Sequence, residues 1–264
     1  MNLELLKEYK KEIINNNILI NEDCFNIFPF IDEKSIDAII CDLPYGTTKC
    51  KWDSVLDLEK LWESYKRVIK DDGVIILFAQ TPFDKVLGCS NLEWLKYEWI
   101  WEKTQATGYF NAKKMPMKAH ENILVFYNKL PKFNPQKTEG HKPINKYTKK
   151  AIVCNKTELY GKVNNDVSGG GETDRYPRSV QLFSSDKQKT KNNGTIHPTQ
   201  KPIALIEMLI KSYTNEGDII LDNTMGSGTT NLGCLKLNRR SIGIEKDELY
   251  YNIAVKRLTI YNKK

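Results

Sequence analysis

What this chain lacks narrows it first. Its 264 residues hold six cysteines (Cys24, Cys41, Cys50, Cys89, Cys154 and Cys234) but no Cys-x-x-Cys pair, and its three histidines are scattered. That spacing excludes a zinc finger and a disulfide framework and leaves reduced thiols as the default. No apolar run reaches the ~18–20 residues that a membrane span needs. The stretch Met1–Lys11 mixes Glu and Lys without an apolar signal core, so a cytoplasmic protein is expected. No G-x-x-x-x-G-K-[ST] occurs, which disfavours phosphate-dominated nucleotide binding. There is also no internal repeat.

Charge is present but unevenly placed. The formal net charge is +7, from 40 Lys/Arg and 33 Asp/Glu. Residues 129–191 hold 14 Lys/Arg against 6 Asp/Glu, and the rest of the chain holds 26 against 27. The positive excess therefore sits in one segment. A basic block on a neutral scaffold suits a polyanion, nucleic acid first, although a solvated Lys-rich loop would have the same composition.

Apolar patterning predicts strands alternating with helices. Asn17–Ile20, Ile36–Cys41 and Val74–Ala79 are short, nearly continuous apolar runs of the kind that parallel strands show. Leu58, Leu61, Trp62, Tyr65, Val68 and Ile69 recur at helical spacing, and Asp71-Asp72-Gly73 stops that helix. Thr81-Pro82 reads as a helix cap and first helical residue. Trp94–Trp101 and Asn122–Tyr127 predict two more strands. Periodicity then lapses from about residue 128 to 195 and returns in the helix containing Ile203, Leu205, Ile206, Leu209 and Ile210. A strand over Asp218–Leu221, a helix over Thr229–Leu237, a strand over Arg240–Glu245 and a last helix over Asp247–Tyr261 follow. The expected fold is α/β, a doubly wound and mostly parallel sheet. Its expected domain comprises residues 1–127 and 196–264, with residues 128–195 as an irregular basic insertion.

Two strand ends carry the chemistry. The run Ile36–Cys41 leads into Asp42-Leu43-Pro44-Tyr45-Gly46. Asp42 offers a carboxylate acceptor, Pro44 a stiffened turn that presents its carbonyl, and Tyr45 a flat stacking face. A planar amino-bearing base fits such an edge; taken alone, an ordinary turn reads the same way. The second strand end is Leu221-Asp222-Asn223-Thr224-Met225-Gly226-Ser227-Gly228-Thr229-Thr230. Its glycines let the backbone approach a ligand closely. The next strand ends on Glu245, where an acid can accept both hydroxyls of a ribose. A dinucleotide fingerprint would want a third glycine where Asn231 stands. A ribose-bearing cofactor without a pyrophosphate fits better, and S-adenosylmethionine is such a compound.

Together these motifs resemble the amino-group DNA methyltransferases, in particular the β-ordered group that modifies adenine N6 or cytosine N4. Asp42-Leu43-Pro44-Tyr45 is similar to that family's (D/N/S)-P-P-(Y/F/W) motif, Leu221–Thr230 to its Gly-rich cofactor motif, and His197-Pro198-Thr199-Gln200-Lys201-Pro202 to the segment preceding it. His120-Glu121-Asn122 resembles the start of its last sheet hairpin. The catalytic motif precedes the cofactor motif, with the basic region between, and that order marks the β arrangement. The resemblance covers residues 17–127 and 197–258. Leu43 departs from it by replacing the first Pro, and Asn223-Thr224-Met225 replaces Pro-Phe-x.

The resemblance implies Asp42, Pro44 and Tyr45 as catalytic residues. It implies S-adenosylmethionine as cofactor, held by Asp23, Thr199, Lys201, Asp222, Gly226, Ser227, Gly228, Thr229 and Glu245. Asp23 is equally readable as a helix cap. The implied substrate is an adenine flipped out of duplex DNA, with N4 of cytosine, or an RNA or protein amide, as alternatives. Tyr45 would stack on one face of the base, and Tyr109, Phe110 or the Phe126-Tyr127 pair are candidates for the other. Within the basic block, Lys149, Lys150, Arg175 and Arg178 are the expected DNA contacts. The resemblance is compatible with a homodimer and with a cognate restriction endonuclease. It also implies that the strand bearing Glu245 lies two strands from a sheet edge, beside Asn17–Ile20.

Overall fold

The structure, a computed structural model, describes residues 3–46, 54–149, 167–185 and 200–263. The chain divides into two compact units, Met1–Asn134 with Ser179–Lys264, and Pro135–Arg178. The first unit holds β1 (Lys11–Ile14), β2 (Asn17–Asn21), α1 (Cys24–Ile27), β3 (Ile36–Asp42), α2 (Leu58–Val68), β4 (Ile69–Ala79), α3 (Phe83–Cys89), β5 (Leu95–Thr107) and β6 (Lys118–Phe126). The second unit holds the short antiparallel pair β7 (Tyr147–Lys149) and β8 (Val167–Gly169). The chain then re-enters the first unit with β9 (Val180–Phe183), α4 (Ile203–Tyr213), β10 (Ile219–Asp222), α5 (Thr229–Lys236), β11 (Arg240–Glu245) and α6 (Glu248–Asn262). Among the described residues no helix is long and apolar enough to cross a membrane.

One nine-stranded sheet runs β1-β2-β11-β10-β3-β4-β6-β5-β9. Neighbours from β2 to β4 pair in parallel, and β6 runs antiparallel to both β4 and β5. β11 thus lies two strands from the β1 edge and pairs with β2, as the motif order implied. Residues of β3 alternate between two apolar layers. Ile39 and Cys41 face α2, with its Leu61, Trp62, Tyr65 and Val68; Ala38 and Ile40 face α4, with its Leu205, Ile206, Leu209 and Ile210. Burial on both faces explains the unbroken apolar runs, and each fully buried aliphatic side chain contributes roughly 1.5–3 kcal/mol.

Several local expectations change. Helix α2 opens at its Asp57 cap, whose side chain accepts from the Lys60 N–H, but stops at Val68, and Ile69 already belongs to β4. Asp71-Asp72-Gly73 is therefore not a helix stop. It lies within β4, at the irregular register between the Ile36–Ile69 and Ala38–Val74 pairs, where an added Cβ on Gly73 would sit 3.0 Å from the Asp37 carbonyl. Helix α3 starts at Phe83, with Pro82 as its cap. β1 has no counterpart in the sequence reading because Lys11 and Glu12 interrupt its apolar pattern. β9 lies inside the stretch expected to be irregular, yet it pairs in parallel with β5 through Ile100–Val180 and Lys103–Phe183.

Candidate active site

Four parallel neighbours, β2, β11, β10 and β3, end on one edge of the sheet, and each delivers an acid there. Asp42 closes β3, Asp222 closes β10, Glu245 closes β11, and Asp23 follows β2. From β10 the chain winds one way, to β11; from β3 it winds the other, to β4. The crevice at such a reversal is where open α/β sheets bind ligands.

On the β10–β11 side the turn is built for close approach. Gly226 and Gly228 have φ of 51° and 73°, and the Gly226 N–H donates to Glu245 Oε2 at 2.8 Å. An added Cβ on Gly228 would lie 2.8 Å from the Ala254 Cβ of α6, so the turn is pressed against that helix. Arg257 of α6 donates to the Ser227 carbonyl at 2.5 Å and to the hydroxyls of Ser227 and Thr229 at 2.9 and 3.2 Å. Arg257 is a turn-holding residue that sequence reasoning missed, because no local motif contains it. Asn231, where a dinucleotide site would have its third glycine, donates instead to Ser241 on β11 at 2.9 Å.

Glu245 accepts the Gly226 and Asp247 N–H groups at 2.8 Å each, and each of its oxygens keeps a second lone pair. Burial pushes its carboxyl above the ordinary range, against the pull of those two N–H groups. Asp222 is buried, accepts from the Thr224 N–H at 3.3 Å, and is pushed up to about 7 by burial. Asp23 caps α1 by accepting from Phe25, and it also pairs with Lys246 at 3.0 Å. The cap role is thus real, and its strand end still borders that of Glu245, because the Glu22 N–H donates to the Glu245 carbonyl at 3.1 Å. Among the described residues, Gln200 Nε2 and Asn223 Nδ2 are buried without a partner. Gln200 Oε1 meets the Ser227 hydroxyl at 3.4 Å, so one unspent donor lies beside the turn. Glycine turn, strand-end acid and unspent amide donor together fit an adenosine-bearing ligand.

The acceptor edge lies one strand over. The Thr224 hydroxyl donates to the Asp42 carbonyl at 3.1 Å and ties the turn to β3, a task the expected Pro-Phe could not perform. Leu43, standing in place of the first proline, is buried in the core under α2 and anchors the segment by packing. Among the described residues no hydrogen bond reaches the Pro44 carbonyl. The Tyr45 hydroxyl donates to Asp42 Oδ1 at 2.6 Å, and its ring stacks on Phe83 at 5.4 Å between centroids and 29°. Phe83 therefore covers one side of Tyr45, which sequence reasoning missed. Cys41 is fully buried, donates to Asn223 Oδ1 at 3.0 Å, and has its thiol pushed well above the ordinary value by burial; it is no nucleophile.

Lys201, an expected cofactor contact, sits among carboxylates. Its ammonium lies 2.6 Å from Asp42 Oδ2 and 3.2 Å from Glu121 Oε2, and Glu121 also meets Lys103 at 2.5 Å. The side chains of Lys201, Glu121 and Lys103 are 6%, 6% and 7% exposed. Burial works against the charge on Lys201, but the two carboxylates outweigh it and the net shift is upward. Burial likewise raises Asp42, opposed by Lys201, and the net is upward. Burial raises Glu121 too, but its two lysines outweigh it and hold it below the ordinary carboxylate value.

The remaining expected residues are dispersed. Thr199 and Lys150 lie outside the described residues. Lys149 falls in β7, in the second unit. Arg178 is exposed there. Arg175 is half-buried, and its guanidinium donates to carbonyls of Glu172, Asp174 and Lys142, contacts that brace its own unit.

An enzyme that seats a nucleoside cofactor at one strand end and grips a planar amine at the next is, in class, an amino-group methyltransferase. Comparison with known proteins agrees. The N6/N4 methyltransferase family, described as DNA methylase, matches residues 36–256. The type II methyltransferase M.HpaI of Haemophilus parainfluenzae is 32% identical over 257 residues, 91% of this chain and 73% of that protein. M1.MboII of Moraxella bovis is 31% identical over 252 residues, 88% of this chain and 92% of that protein. Two solved structures share the fold. The M1.HpyAVI–SAM complex has a TM-score of 0.59 at 24% identity, covering 90% of this chain and 98% of that one. The cytosine-N4-specific PvuII DNA methyltransferase has a TM-score of 0.63 at 15% identity, covering 94% and 92%. This chain belongs to the N6/N4 DNA methylase family, and its cofactor is S-adenosylmethionine.

Proposed function

We propose that this DNA methyltransferase transfers a methyl group to the N6 amino group of an adenine flipped out of duplex DNA. The observation that carries the reading is the acid at the end of β3, Asp42, held by Lys201 at 2.6 Å. By family resemblance, cytosine-N4 members more often carry Ser at that position.

The exocyclic amine of adenine is a weak nucleophile because its lone pair is delocalised into the ring. Asp42 and the Pro44 carbonyl each accept one of its N–H groups, and the lone pair is then turned out of the ring plane. The Tyr45 hydroxyl and Lys201 use only part of the Asp42 acceptor capacity, since each carboxylate oxygen has two lone pairs. The two residues fix the carboxylate so that orientation is set before the base arrives. S-adenosylmethionine supplies an electrophilic methyl group on a positively charged sulfur. Forming the N–C bond would break the methyl–sulfur bond, whose electron pair stays behind on a neutral thioether, and Asp42, in contact with the amine, would take the N–H proton that it loses. Glu245 would accept the ribose hydroxyls, Gly226 and Gly228 would let the cofactor approach the backbone closely, and Asp222 and Asp23 would hold it from the neighbouring strand ends. Lys149, Lys150 and Arg178 meet DNA phosphates, which makes binding steeply salt-dependent.

Incubation with unmethylated duplex DNA and labelled cofactor, followed by digestion to nucleosides, tests the reading. N6-methyladenine is expected; N4-methylcytosine as the product overturns the adenine assignment.

A further inference from the structure

The β5–β6 hairpin carries an apolar load that no core accounts for. From Thr107 to His120 every residue is exposed. Phe110 is 100% exposed and Tyr109 77%, with Met115 and Met117 beside them. Single exposed apolar residues are common, but four large ones on one short finger form a patch that marks a contact surface.

The finger is ordered by its own backbone. Gly108 has φ of 90° and starts a single 3-10 turn over Tyr109–Asn111. Within the tip, the Asn111, Ala112, Lys114 and Met115 N–H groups donate to the carbonyls of Gly108, Tyr109, Asn111 and Asn111 respectively. The aromatic rings are thus displayed on a preformed support.

Its position follows from register. Asp42 pairs with Phe78 on β4, and Phe78 and Ala79 pair with Ile123 and Asn122 on β6. Residues Glu121 back to Lys118 therefore run past the end of β4 on the Asp42 edge of the sheet. The Lys118 ammonium donates to Gln80 there at 3.3 Å, and Glu121 shares Lys201 with Asp42. Three strand residues carry the tip about 10 Å beyond Glu121. The charge of the finger fits a polyanion: Lys113, Lys114 and Lys118 are exposed, and no Asp or Glu occurs from Lys103 to His120.

We infer that this hairpin tip is a wedge for duplex DNA, with Phe110, supported by Tyr109, entering the base stack beside the flipped nucleotide while the three lysines meet the flanking phosphates. An apolar side chain inserted between base steps offsets the cost of unstacking. The inference rests on the proposed base-flipping methyl transfer and adds the group that holds the vacated stack open.

The test uses the full chain. The wild type first marks its own target on an unmethylated plasmid, and oligonucleotide duplexes carrying that sequence are made with the target base either paired or mismatched. Phe110→Ala is expected to lower kcat/KM on the paired duplex by about 10-fold or more, to lower it far less on the mismatched one, and to leave the Kd for S-adenosylmethionine unchanged. Phe110→Trp is expected to restore activity on the paired duplex. Wild-type turnover by Phe110→Ala on the paired duplex, or equal losses on both duplexes, overturns the inference. If the wild type marks cytosine, the adenine assignment fails and the same comparison is run on that base.

Discussion

The Lys201 ammonium bridges Asp42 and Glu121, at 2.6 and 3.2 Å, from a side chain 6% exposed. One lysine thereby ties the acceptor acid of β3 to the hairpin strand β6. Its ammonium is spent on these two carboxylates.

That placement separates two effects of removing it. Lys201→Met should leave the Kd for S-adenosylmethionine within about 3-fold of wild type and lower kcat about 10²-fold, the cost of a misplaced reacting group. With its cation gone, the already raised Asp42 carboxyl rises further, so the acid limb of the kcat/KM profile should move to higher pH. Calorimetry and a pH–rate profile check both; a loss confined to cofactor affinity contradicts the placement.

Glu121 is the partner that makes Lys201 affordable in the interior. Glu121→Ala leaves the buried ammoniums of Lys201 and Lys103 without it and should destabilise the fold by about 3–5 kcal/mol. The exposed pair Lys10–Glu248 serves as the control, since solvent screens a surface pair and its loss costs little. Urea unfolding of Glu121→Ala and Glu248→Ala compares the two directly.

Glu245 and Asp42 should fail in opposite ways. Glu245→Ala removes the strand-end acceptor and the partner of the Gly226 N–H, so cofactor affinity should fall by about 10-fold or more, in line with the loss of hydrogen bonds to a charged group. Asp42→Ala should bind cofactor almost normally and turn over no DNA. Calorimetry beside a methylation assay reads both variants, and wild-type activity in Asp42→Ala would remove its assigned role.

Asp222 makes stability depend on pH. Burial raises its carboxyl from 3.8 to about 7 in the folded protein. Between those values the unfolded chain has released the proton and the folded chain still holds it. The contribution is therefore fully present below about pH 4 and is lost as pH rises toward about 7, with a slope of up to about 1.4 kcal/mol per pH unit. Asp222→Asn should flatten the pH dependence of the urea midpoint across that window, and an unchanged slope would assign it to other groups.

Much of the site was legible because it is local. Asp42 through Tyr45 and Asp222 through Thr229 are contiguous, and a strand followed by a turn displays such residues wherever the sheet lies. Lys201 was legible as a candidate from its neighbouring motif, but only packing sets its ammonium beside the Asp42 carboxylate. Arg257, Phe83 and Lys103 gave no local signal, and Glu121 entered only as part of the hairpin motif, without a role in the site. Nor does residue type foretell that Arg175, an expected DNA contact, donates to three carbonyls of its own unit.

The chain's sequence by itself determined the alternation of strands and helices, the permuted order of the two strand-end motifs and the basic block between them, because apolar periodicity and turn chemistry act over a few residues. Tertiary structure alone decided that residues 42, 121 and 201 form one buried charge chain and that Phe110 stands on the same edge as Asp42. Those contacts join positions up to 159 residues apart: the register of β3, β4 and β6 aligns Asp42 with Glu121 and the hairpin, and the segment entering α4 delivers Lys201 between them.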